Sequence, residues 1–203
     1  MDPVQYNRWL RAYQATERRK EVRKQKRAEL RRQYASLTNE RLMAALKTSV
    51  PQYNWTCEYH PEGMDGRQRV DVAGTTASDD HLVLVEIERG RMNPSDNVTK
   101  CWRYADTNRN RPPILLVQLF SPYYPAWTSQ TRGMQNAIFI GKKGEEARFP
   151  AFCYRHVDPE HWPPPETDPI AVAERIRGIV EGWLVQIGGF QQGRVVQHEQ
   201  RGQ

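Results

Sequence analysis

Two long apolar runs organise the chain. Residues 82–88, Leu-Val-Leu-Val-Glu-Ile-Glu, and residues 114–120, Ile-Leu-Leu-Val-Gln-Leu-Phe, are rich in branched aliphatic residues without polar alternation. That is the pattern of strands buried on both faces of a sheet. Shorter stretches at 53–59 and 69–73, set off by turn-forming residues at 60–66 and 75–80, predict two more strands and, with 82–88, a three-strand meander. A further strand is expected at 137–142, from Ala137 to Lys142.

Helical periodicity fills much of the rest. Residues 4–34 lack Gly and are dense in Arg, Lys, Glu, Gln and Ala, which predicts one long helix whose apolar cluster is Tyr6, Trp9, Leu10 and Tyr13. A second helix follows Thr38 or Asn39 as N-cap, faces the core with Leu42, Met43, Ala45 and Leu46, and ends at Pro51. A third starts at Ser95 or Asp96 and runs to Thr107. It buries Val98, Cys101, Trp102 and Ala105 and carries Asn97, Lys100 and Tyr104 on another face. After a Pro-rich stretch at 149–169, an amphipathic helix over 169–187 turns Ile170, Ala173, Ile176, Ile179, Val180 and Trp183 inward, and Gly188-Gly189 is expected to stop it. The organisation read from this is a basic helical arm at 1–36, one α/β domain at 37–190 and a polar flexible tail at 191–203.

Charge divides the chain unevenly. Residues 1–50 hold 13 Lys/Arg against 5 Asp/Glu, whereas the remainder holds 17 against 19. Arg18, Arg19, Lys20, Arg23, Lys24, Lys26, Arg27, Arg31 and Arg32 surround the first helix instead of forming one stripe, so its middle is either solvated or bound to a polyanion. Nucleic acid is the expected partner, DNA being favoured only through the resemblance given below, and the aromatic start of the arm is a second candidate contact for a protein partner or a second copy of the chain. No run approaches the ~18 apolar residues of a membrane helix and no secretory signal is visible, which gives the cytoplasm as the expected compartment. Cys57, Cys101 and Cys153 are far apart, and read as reduced, packed thiols.

The candidate chemistry lies where acids interrupt the apolar strands. Glu86 and Glu88 end one strand on a shared face, and Asp71 occupies the middle of the strand before it. A bare carboxylate in such a strand costs several kcal/mol unless something pairs with it, and a hard cation is the obvious partner. The bland alternative is that these acids mark strand ends meeting solvent, with Asp71 in an ion pair to Arg67 or Arg69.

The order helix, three strands, helix, strand, with Asp71 on the second strand and Glu86-Ile87-Glu88 ending the third, resembles the PD-(D/E)xK nuclease superfamily. The resemblance covers roughly residues 37–120. It implies an αβββαβ restriction-endonuclease-like core, a mixed sheet flanked by helices, with the long basic N-terminal helix and the C-terminal helix added to it. It also implies a Mg²⁺-dependent or Mn²⁺-dependent endonuclease in which Asp71 and Glu86, with the backbone carbonyl of Ile87, hold the metal. Glu88 stands where the family places a lysine. The resemblance then makes Glu88 a proton acceptor or second-metal ligand, Lys100 of the Lys100-Cys-Trp-Arg-Tyr104 string a migrated lysine, and Tyr104, Arg89 and Arg91 contacts to nucleic acid. Glu40 matches the family's occasional first-helix acid. The alternative reading is a relative of the fold that has lost hydrolysis at Glu88 and serves as a nucleic-acid-binding or assembly subunit.

Other candidates carry less. His156 and His161 with Asp158 have metal-binding chemistry but lack a fourth ligand at useful spacing. Tyr123, Tyr124 and Trp127 follow an apolar strand, where they either stack on bases or pack over a core edge. The absence of a P-loop, a Gly-x-Ser-x-Gly or a His-Glu-x-x-His removes the common nucleotide-binding, serine-hydrolase and zinc-protease readings.

Overall fold

A computed structural model describes residues 2–64, 68–78, 80–107, 112–125, 128–164 and 167–201. The side chains of Tyr6, Arg27 and Arg31 and those from Phe190 onward lie outside the described residues, as do Arg67 and Trp127. The elements are α1 (Pro3–Tyr34), α2 (Asn39–Ser49), β1 (Asn54–Tyr59), β2 (Val70–Thr75), β3 (Leu82–Glu88), α3 (Ser95–Thr107), β4 (Ile114–Phe120), α4 (Thr128–Arg148), β5 (Phe152–Val157), a single 3-10 turn at Pro159–His161, and α5 (Ile170–Arg201). The fold is α/β, built on one five-stranded mixed sheet in the order β1-β2-β3-β4-β5. The first three strands pair antiparallel as a meander, and β4 and β5 join parallel through the α3 and α4 crossovers.

Strand alternation separates two cores. Val83, Val85 and Ile87 of β3 and Leu115, Val117 and Leu119 of β4 face Leu42 and Leu46 of α2 and Val172, Ile176, Val180 and Trp183 of α5. Leu82 and Leu84 of β3, Leu116 of β4 and Phe152 and Tyr154 of β5 face Val98, Cys101 and Tyr104 of α3 and Ala137 of α4. All seven side chains of β3 and all seven of β4 are buried, as helices on both faces require. Thr38 caps α2, its side chain accepting from the Arg41 backbone N–H.

Several expectations are corrected. Ala137 to Lys142 form part of α4, not a strand: Ala137 is buried, Ile138 and Ile140 pack partly on the core and Phe139 is exposed, a helical alternation that the Ile-Phe-Ile string conceals. Gly141 permits this helix, because a Cβ there would overlap the Tyr154 ring. The fifth strand is Phe152–Val157, so His156 belongs to a strand instead of the Pro-rich loop. Gly188-Gly189 does not end α5, which runs to Arg201, and Ile170 is exposed whereas Val172 is buried. Met43 and Trp102 are only partly buried, while Tyr104 joins the buried face of α3. No helix among the described residues is long and apolar enough to cross a membrane. All three cysteines are free.

Candidate functional site

Register brings the first two acids together. Val72 pairs with Val85 across the antiparallel β2 and β3, so one step further Asp71 lies opposite Glu86, on the same face. Asp71 Oδ2 accepts from the Ile87 backbone N–H at 2.7 Å, which fixes the carboxylate beside the end of β3. Glu86 is only 3% exposed, and Lys100 Nζ, reaching across from α3, stands 2.6 Å from its Oε1 while donating to the Arg69 carbonyl at 2.5 Å. The Lys100–Glu86 contact is close but lacks the alignment of a good hydrogen bond, so this buried oxygen faces a cation and has no aligned donor. Burial pushes the Glu86 carboxyl up to about 8 against the opposing charge of Lys100, and the negative charges of Asp71 and, less, Glu88 add to the rise.

Asp71, Glu86, Ile87, Glu88 and Lys100 line one open cavity of about 500 Å³ whose rim carries Arg69, Arg89 and Arg91. The Ile87 side chain belongs to the opposite core, so its backbone is what this cavity meets. Gly90 separates the two rim arginines. Its φ of +132° and the Tyr123 ring atom 2.7 Å from where a Cβ would stand exclude a side chain, and the chain turns there. Arg89 then bonds the Leu37 carbonyl at 3.0 Å and Asn39 Oδ1 at 2.7 Å, tying β3 to the start of α2, whereas Arg91 bonds Asn97 Oδ1 on α3 at 2.8 Å.

Glu88 has partners of its own. It is 1% exposed; its Oε1 accepts from Asn97 Nδ2 and Gln118 Nε2, each at 2.8 Å, and Tyr124 Oη lies 3.3 Å from its Oε2. Burial raises its pKa, and the Asn97 and Gln118 donors oppose that rise. The three acids therefore do not bring three ligand atoms close together. Among the described residues only Asp158, Glu160 and His161 do so, within 4.8 Å of one another, on the exposed turn after β5. His156 is nearby, its Nε2 3.5 Å from Asp158 Oδ1.

The remaining candidates are dispersed. Tyr104 is 9% exposed and packs in the apolar core, away from the cavity that holds the acids. Glu40 is exposed on the first turn of α2, where its own backbone N–H and then the Thr38 hydroxyl hold its carboxyl below the usual range. Tyr123 and Tyr124 are buried, so neither is a surface for stacking bases. On α1, Arg18, Arg19, Lys20, Arg23 and Lys24 are exposed, with Lys20 paired to Glu17 at 2.8 Å. Trp9 and Tyr13 are also exposed, stacked on each other at 5.5 Å instead of docked on the sheet domain, while Tyr34 meets Trp162 edge-on.

Four polar residues near the site, Gln118, Asn97, Asn39 and Glu58, are not assigned a site role by the sequence reading. Gln118 is the lone polar residue in β4 and stands in register with Glu86, a signal readable once the strands are aligned. Asn97 is legible only as part of a helix face. Asn39 Nδ2 donates to Glu58 Oε1 at 2.6 Å and lies 3.4 Å from Asp71 Oδ1. Glu58 itself faces Asp71 across β1 and β2 and adopts a φ of 50°, a left-handed conformation costing roughly 1–3 kcal/mol.

Comparison with family models, with curated proteins and with solved structures gives no match.

Proposed function

We propose that this protein is a divalent-cation-dependent phosphodiesterase acting on nucleic acid, DNA first among the candidates, on a restriction-endonuclease-like core. The observation that carries the reading is the pairing of Asp71 with the buried Glu86 in a cavity that also presents Lys100, Arg69 and Arg91. Acids that hold a cation beside bases that hold a phosphate are the two halves of a metal-assisted phosphoryl-transfer site.

The donor set fits a hard cation. It offers carboxylate oxygens of Asp71 and Glu86 and the backbone at Ile87, and a carboxyl raised to about 8 by burial and negative neighbours is one that a cation would ionise. Mg²⁺ or Mn²⁺ held there supplies Lewis acidity toward a phosphate oxygen and lowers the pKa of an attacking water. Lys100 carries the ammonium that the strand lacks at Glu88, and it balances charge building on the phosphate. Arg91 grips the phosphate at the rim. The exposed cations of α1 add sequence-independent affinity through further phosphates.

One observation favours a second reading. Lys100 already stands against Glu86, as it would in a relative that binds nucleic acid without cutting it. The experiment that separates them incubates wild type, Asp71→Ala and Glu86→Ala with DNA and RNA under Mg²⁺ and Mn²⁺. Cleavage by wild type, lost in both variants while DNA binding persists, is the expected result. Cleavage retained in both variants overturns the site, and binding without cleavage in wild type selects the second reading.

A further inference from the structure

The carboxylate standing where the family carries a lysine faces inward, into a set of neutral donors. Asn97 and Gln118 both donate to Glu88 Oε1 at 2.8 Å, and Gln118 is itself held, donating from Nε2 to the Pro94 carbonyl at 3.0 Å and accepting from Tyr154 Oη at 2.9 Å. Glu88, Asn97 and Gln118 are 1%, 5% and 0% exposed, so each bond is made where water does not compete for it. The outward end of this network is one residue. Asn97 Oδ1 accepts from Arg91 Nη1 at 2.8 Å, and the Tyr124 hydroxyl, 3.3 Å from Glu88 Oε2, lies closer still to the Arg91 carbonyl, at 3.0 Å. The backbone and the guanidinium of Arg91 are thus both held by groups that contact Glu88.

We infer that Glu88 is a positioning residue and not a reacting acid: through Asn97 and Tyr124 it presets Arg91 as the arginine that grips the nucleic-acid phosphate. This rests on the phosphodiesterase reading above. A guanidinium has five N–H donors in a rigid fork, and Asn97 occupies only part of it, leaving the rest for a phosphate at the cavity rim. Anchoring one edge removes rotamer freedom before the ligand arrives, so less is lost on binding. Arg89 is unsuited to that task because its Nε and Nη2 are spent on Leu37 and Asn39. The network also explains why a glutamate is tolerated at position 88: Asn97 on α3 and Gln118 on β4 both donate to it, and Lys100 takes the ammonium role from α3.

The test measures kcat and KM of the full chain on an end-labelled DNA duplex with Mn²⁺, with near-ultraviolet circular dichroism as the check on folding. The variants are Arg91→Ala, Asn97→Ala, the two together, and Glu88→Gln. Arg91→Ala is expected to raise KM roughly tenfold or more, as removal of a charge-assisted phosphate interaction does. Asn97→Ala should raise KM in the same direction and by less, and the double variant should match Arg91→Ala alone, because without Arg91 there is nothing left to position. Glu88→Gln retains an acceptor oxygen for Asn97 and Gln118, so its loss should stay within about tenfold and fall on KM. A kcat loss of about 100-fold or more in Glu88→Gln, the size of effect that removing a general base produces, overturns the inference, as does strict additivity of the Asn97 and Arg91 effects. If Asn97→Ala fails to fold, the split between kcat and KM in Glu88→Gln decides alone. Wild type that does not cut the duplex, whether or not it binds it, overturns the phosphodiesterase reading and this inference with it, whereas active wild type with either overturning result removes only the inference.

Discussion

Replacing Glu86 by Gln should make stability less dependent on pH, in a window set by the burial of that carboxyl. Its pKa is raised from 4.5 to about 8, chiefly because the charged form is desolvated. Between those values the folded chain holds a proton that the unfolded chain has released, so stability falls as pH rises. The contribution is fully present below pH 4.5 and lost as pH climbs through about 8. At 1.36 kcal/mol per unit the full displacement amounts to about 5 kcal/mol, of which about 3–4 falls between pH 5 and pH 8. That is a ceiling, since water entry and local relaxation both reduce it. Protonated Glu and Gln are nearly isosteric, so the two proteins should have similar stability at pH 5 and diverge toward pH 8, with Glu86→Gln the more stable. Urea unfolding in EDTA at the two pH values measures this directly. Parallel pH profiles for wild type and variant, within about 0.5 kcal/mol, would refute the argument that Glu86 is a desolvated acid balanced incompletely by Lys100.

Gly90→Ala should cost roughly 1–3 kcal/mol in the same unfolding assay, because its φ of +132° and the Tyr123 ring leave no unstrained place for a methyl group; an unchanged midpoint would contradict a glycine-dependent turn at that position. Deleting residues 2–32 keeps Tyr34 and its packing on Trp162, so the body should stay folded while DNA affinity and the slope of log K against log salt fall together, by roughly 0.9 for each phosphate that the arm neutralises. An unchanged slope would assign the arm to another partner. In the native protein Cys101 and Cys153 should resist a thiol reagent, since both are buried and burial pushes the Cys153 thiol up to about 12. Rapid modification of either at pH 8, counted by mass spectrometry of intact protein, would show that the core opens there.

The apolar runs at β3 and β4, the α2 stripe and the Asp71, Glu86 and Glu88 positions were all legible in sequence, because strand and helix periodicities report which face is buried. The α/β class follows from the same pattern. What local pattern could not supply was the packing that overrides propensity. The Ile138-Phe139-Ile140 string favours a strand in isolation, yet it lies in α4 because glycines in that helix let it press against Tyr154 and Phe152 of β5. The β5 strand was hidden for the complementary reason, since prolines surround a short segment whose partner, β4, is distant in sequence.

The site divides in the same way. Sequence by itself determined that three acids fall near the end of the meander and that a basic helix precedes it, since residue identity and strand alternation need no knowledge of neighbours. Only the tertiary structure decided which acid does what. Cross-strand register set Asp71 beside Glu86, and docking of α3 brought Lys100 to Glu86 and Asn97 to Glu88. Electrostatic partners are chosen by distances of a few ångströms between elements far apart in the chain, and the role of a buried carboxylate follows from the partner it finds.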